Sequence, residues 1–116
     1  MKDDSILINQ DNNKVIAKHV RTAQSFFFRL CGLLGTACLP AQQGLLIRPC
    51  NSVHTIGMRY AIDVLFLSNE LEVVKAVENL PPFRISACLA SAMVLELPAG
   101  TIGRTEIKAG GRLAWK

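Results

Sequence analysis

The chain has 116 residues, half of them hydrophobic and 19% charged, with a formal net charge of +4. That length holds one domain, because two separate cores could not both be buried in it, and the apolar content excludes a disordered chain, which pairs low hydrophobicity with high net charge. No apolar run reaches the roughly 18 residues of a membrane span, and the polar start Met1-Lys2-Asp3-Asp4-Ser5 lacks the basic and apolar regions of a secretory signal, so a soluble, cytoplasmic protein is expected.

Taken in order, Ser5 to Asn9 reads as a short strand. Asn9 to Asn13 is a cluster of turn formers, and Lys14 to Val20 reads as a second strand that completes a hairpin. Thr22 has the hydroxyl of a helix N-cap. The apolar residues Ala23, Phe26, Phe27, Leu30, Leu33 and Leu34 then recur at three- and four-residue intervals, which predicts an amphipathic helix closed by Gly32 and Gly35. Leu39 to Gly44 is a loop. Leu45 to Ile47 is a strand stopped at Arg48-Pro49, since proline has no amide to give to a ladder.

Val53 to Leu67 reads as one strand or two consecutive strands. Alternation puts His54, Ile56, Met58, Tyr60, Ile62, Val64 and Phe66 on one face, and Arg59 and Asp63 among small and apolar residues on the other. Ser68-Asn69-Glu70 is a turn, and Leu71 to Val77 is the returning arm of a hairpin. Pro81-Pro82 breaks the chain, and Met93 to Leu97 is a strand ended by Pro98. Ala99 to Gly103 can hold a helical turn, and Leu113 to Trp115 a last short strand. Many short strands separated by turns predict a mainly β fold with one or two short helices, built as a sandwich or a small closed barrel.

The basic residues are scattered, with no run and no interleaved aromatics, so no nucleic-acid partner is expected; nor is a membrane partner. The four cysteines, Cys31, Cys38, Cys50 and Cys88, form no CxxC pair, and a cytosolic chain keeps them reduced. His19 and His54 are 35 residues apart without metal-ligand spacing, and neither a P-loop nor a GxGxxG run is present. No metal and no cofactor are expected.

Several blocks in this order resemble the DUF192 family of uncharacterised, bacterial-type proteins. They are Arg29-Leu30-Cys31-Gly32-Leu33-Leu34-Gly35, Gly44 to Cys50, Val53 to Leu67 and Val94 to Gly100. The histidine, the Gly57-Met58-Arg59 run and Asp63 opening an apolar strand are the most specific part. The resemblance covers about Ala17 to Trp115. It implies a compact, jelly-roll-like β-sandwich and no assigned activity. This chain departs from the family in having Ala61 where a proline is usual, and Gly110-Gly111 where Gly-Asp is usual.

The polar residues set into the apolar blocks are His54, Arg59, Asp63, Arg48 and Glu96. Buried charge needs a partner, so they are either ion pairs that fix strand register, Arg48 with Glu96 among them, or the lining of a pocket. The function expected is a small non-enzymatic binding or accessory domain. Its polar pocket near His54, formed by these five residues, takes a small polar or anionic ligand, and no catalytic residue is assigned. One alternative is a small hydrolase or sugar-modifying enzyme with His54 as general base and Asp63 orienting it; the other is a protein-interaction module. The oligomeric state is not legible in the sequence.

Overall fold

The computed structural model describes residues 5–23 and 41–116. Among the described residues the chain forms nine strands: β1 Ser5–Asn9, β2 Val15–Ala23, β3 Gln43–Ile47, β4 Ser52–His54, β5 Ile62–Leu67, β6 Val73–Leu80, β7 Ile85–Ala87, β8 Met93–Pro98 and β9 Leu113–Trp115. A short helix, α1, spans Thr101–Thr105. Seven strands make one curled sheet in the order β6-β5-β8-β3-β2-β1-β9, and β4 pairs with β7 in a small second sheet. All pairs in the large sheet are antiparallel except β2 with β3.

The two outer strands of the curled sheet meet at one corner. Glu72 bridges to Arg112, the Val73 amide donates to the Gly111 carbonyl at 2.8 Å, and the Leu113 amide donates to the Leu71 carbonyl at 2.9 Å. Edge strands with unpaired amides invite foreign pairing, and curling until the edges touch removes that exposure over this stretch. The mainly β expectation holds, in the form of a half-barrel with a small sheet against it.

The middle of the large sheet is covered on both sides. Every residue of β5 is buried, as are the first five of β8. Alternation along β5 sends Leu65 and Leu67 into one cluster with Leu7, Leu46, Met93, Leu95 and Leu97. It sends Ile62, Val64 and Phe66 into a second cluster with Val53, Met58, Leu80 and Val94. Each such aliphatic side chain contributes roughly 1.5–3 kcal/mol when fully buried. The small sheet is attached to the second cluster through Val53.

The β1–β2 hairpin forms as expected. Asn9 and Asn12 close its turn by accepting from the Asp11 and Lys14 amides at 3.0 Å each, and Asn13 adopts φ 62°. The side-chain amides of Asn9 and Asn12 also donate to the Thr105 carbonyl, at 2.9 and 3.0 Å, satisfying an end of α1 that has no intrahelical partner.

Two expectations need correction. Thr22 is not a helix cap: β2 runs through it, paired with Leu46. The helix expected after it lies outside the described residues, apart from Ala23 at the end of β2. The apolar stretch 53–67 is two strands separated by a turn over 55–61, in which Gly57 takes φ 87° and the Met58 amide donates to the Thr55 carbonyl. A continuous alternation therefore does not carry across it, and β4 turns Val53 inward rather than His54.

Candidate functional site

Asp63 is fully buried on β5, opposite Leu97 of β8. Its two oxygens serve two distant pieces of backbone. Oδ1 accepts the Asn79 amide at 2.9 Å, and Oδ2 accepts the Ile102 amide at 2.8 Å. Asn79 lies at φ 51°, where the β5–β6 register slips. Ile102 is in the first turn of α1, whose N-cap is Gly100, at φ 94° and without a side chain to cap with. The carboxylate thus replaces a ladder bond lost at the slip and caps a helix that cannot cap itself.

Glu96 is also fully buried, but register places it opposite Val64 and Leu45, on the side of the second cluster. Asp63 and Glu96 therefore point to opposite sides of the sheet. Arg48 follows the end of β3, where the ladder has Ile47 opposite Val94. It is exposed, three residues beyond the position that faces Glu96, so the expected cross-strand pair does not form. Arg59 is exposed on the bend before β5. His54 is half-buried on β4, opposite Ile85, and its Nδ1 accepts the Ile56 amide at 3.3 Å. The fold does not gather these five side chains at one place.

Arg48 lines an open cleft. A cavity of about 720 Å³ is bounded by Arg48, Pro49, Cys50, Asn51, Asn69, Ser91 and Ala92. A smaller one of about 250 Å³ shares Arg48 and Asn69 and is otherwise formed by Leu46, Glu70, Leu71, Met93 and Trp115. Both lie where β3 and β5 end and β8 begins. The walls are fixed by backbone: the Cys50 amide donates to Ala92 at 3.0 Å, and the Ala92 amide donates to Leu67 at 2.8 Å. The turn carrying Asn69 is closed by Ser68, whose Oγ accepts the Glu70 and Glu72 amides at 3.2 and 3.1 Å. Ser91 donates its hydroxyl to the Cys88 carbonyl at 2.8 Å, and the Cys50 thiol to the Ser52 carbonyl at 3.0 Å.

Among the described residues, the larger cavity is lined by one cation, several neutral polar groups and no carboxylate. That chemistry suits a small anionic or polar guest, with the guanidinium fork matching carboxylate or phosphate. Among its residues, Asn69 and Ser91 escape a reading of the sequence, because nothing in the chain signals that residues 48–51, 69 and 91–92 meet. The only clue was Arg48-Pro49 ending a strand.

The DUF192 family model, described as an uncharacterised ACR, matches residues 6–115, and the chain belongs to that family. It is 33% identical over 115 residues to a UPF0127 protein of Pyrococcus furiosus, covering 94% of this chain and 97% of that protein. It is 30% identical over 120 residues to a UPF0127 protein of Thermococcus sibiricus, covering 96% and 75%. Two crystal structures share the fold at a TM-score of 0.78. One is a proposed transcription regulator from Sinorhizobium meliloti 1021, at 24% identity over 96% of this chain and 91% of that one. The other is a protein of unknown function from Novosphingobium aromaticivorans, at 18% identity over 96% and 83%. At those identities the likeness concerns the fold alone, and none of these names assigns an activity.

Proposed function

We propose that this protein is a small, non-catalytic binding domain that takes a small polar or anionic ligand in the Arg48–Asn69 cleft. The observation that carries this reading is the placement of an exposed guanidinium at the junction of two cavities, the larger of which has no carboxylate among its described lining residues. An anion there meets the arginine, the amides of Asn51 and Asn69, and walls held by the strand ends.

A catalytic reading built on His54 and Asp63 has less support. Both Asp63 oxygens already hold backbone amides, and Asp63 faces the side of the sheet away from the cluster to which β4 is attached. No helix among the described residues is long and apolar enough to cross a membrane. Cys50 and Cys88 are free thiols, which supports a reducing, cytoplasmic setting.

The test is calorimetric titration of the full chain with phosphate, citrate and sugar carboxylates. The wild-type chain should bind at least one of them, and Arg48→Ala should weaken that binding roughly tenfold or more without moving the melting temperature. Equal binding by Arg48→Ala, or no binding by any of the three classes, refutes the assignment.

A further inference from the structure

The smaller cavity beside Arg48 sets apolar and oppositely charged groups together. At about 250 Å³ it falls below the roughly 300–1,000 Å³ of a pocket for a drug-sized molecule, so it fits a small guest. Its floor is the end of the first core cluster. Leu46 and Met93 belong to that cluster and are 1% and 2% exposed, and Leu71 packs against it. Trp115 lines the same cavity and is 40% exposed. It lies opposite Leu7 in the β1–β9 ladder, and directly opposite residues share a face of the sheet, so the indole is on the side where Leu7 enters the first cluster.

Among the described residues that line it, Arg48 is the one cation and Glu70 the one anion, and both are exposed. Among the described residues they form no ion pair with each other, and neither charged group has another hydrogen-bond or ion-pair partner. The turn that carries Glu70 is fixed. The Leu71 amide donates to the Ser68 carbonyl at 3.0 Å, and the Leu71 carbonyl accepts the Leu113 amide at 2.9 Å, which ties this turn to the strand bearing Trp115. Opposite charges that share one cavity without meeting suit a guest that bears both. A simple anion gains from Arg48 and is repelled by Glu70, and a simple cation meets the reverse. A carboxylate with an amine beside it satisfies the two together. The floor and the indole then favour an apolar group on the same small molecule, because covering them removes apolar surface from water.

We infer that the guest of the Arg48 cleft is a zwitterionic amino carboxylate with an aliphatic side chain. Its carboxylate meets the Arg48 guanidinium and the Asn69 side-chain amide, which line both cavities. Its ammonium meets Glu70, and its aliphatic group covers Leu46, Met93 and the indole of Trp115. This identification rests on the anion-binding role proposed for the cleft and adds the amine and the apolar group.

The experiment is titration of the full chain with L-leucine, with 4-methylpentanoate, which lacks only the amine, and with 3-methylbutylamine, which lacks only the carboxylate. Trp115 is the chain's single tryptophan, so its emission reports on this cavity, and calorimetry with the same three compounds registers binding to which the indole is silent. Leucine should bind saturably, shift the emission, and bind roughly tenfold or more tightly than either analogue. Glu70→Gln should erase the preference for leucine over 4-methylpentanoate while leaving 4-methylpentanoate bound at least as tightly as before, and Arg48→Ala should weaken both. Both positions are exposed, so the thermal melts of these variants should match the wild type. No binding of leucine, equal binding of leucine and 4-methylpentanoate, or a preference that survives Glu70→Gln overturns the inference. If citrate or phosphate still binds in an Arg48-dependent way when leucine fails, the anion-binding role of the cleft stands and only the zwitterionic guest is lost; if those anions fail as well, both are lost.

Discussion

The two sheets treat apolar side chains in opposite ways. In the large sheet, β5 hides all six of its residues and accommodates even a carboxylate, because Asp63 finds two backbone amides to hold. In the small sheet, β4 and β7 bury Val53 and leave Ile85 in water. Both contain β-branched apolar residues in extended backbone, so residue type does not distinguish them. The difference is coverage: β5 has strands on both flanks and packed residues on both faces, while the small sheet, among the described residues, buries Val53 on one face and exposes Ile85 on the other. A substitution on β5 should therefore cost stability, and one at Ile85 should cost little.

The largest effect should come from Phe66→Ala. The ring is fully buried in the second cluster, with the Lys75 ammonium 5.6 Å from its centroid. Truncation should lower unfolding free energy in urea by about 3–5 kcal/mol. Asp63→Ala should follow at about 2–4 kcal/mol, since it leaves the buried Ile102 amide and the part-buried Asn79 amide without acceptors. In hydrogen exchange, the Asn79 and Ile102 amides of Asp63→Ala should lose protection before the β5–β8 ladder does, and uniform loss would show that the carboxylate has no local role.

Gly111→Asp introduces the aspartate that the family resemblance leads one to expect at this position. A Cβ at Gly111 would lie 3.0 Å from the Lys108 carbonyl and 3.2 Å from the Ile107 side chain, so this chain has closed that space. A loss of about 1–2 kcal/mol is expected, and a stabilised variant would contradict it. The smallest effect should come from the exposed positions. Arg59→Ala, which a buried ion pair would make costly, should stay within about 0.5 kcal/mol of the wild type, as should Ile85→Ser. A larger loss at either would mean that the side chain is packed in solution.

Much of the architecture was legible because local chemistry sets it. The asparagine cluster between Ile8 and Lys14 makes a turn wherever it occurs, Pro49 and Pro98 limit their strands, and the alternation in 62–67 survives intact in β5. What escaped was set by distant contacts. Gly57 within an apolar run was a visible sign of a turn, but the run's unbroken periodicity suggested extended backbone through it. Thr22 resembled a cap because a helical pattern follows, and the parallel pairing of β2 with β3 places it in a strand instead. Arg48, Asp63 and Glu96 share one feature in the sequence, polarity amid apolar neighbours, yet they end at a cleft, at a buried cap and on the opposite side of the sheet. Asp63 meets partners 16 and 39 residues away, and no spacing rule points to them.

The account depends most on the cleft at the strand ends, and amide chemical shifts during titration with phosphate or citrate test it most directly. Saturable shifts at Arg48, Asn51, Asn69 and Ser91, with Ile85 and Phe83 unmoved, are the expected result. Shifts centred on His54 or spread evenly over the surface, or none at saturating anion, would contradict it.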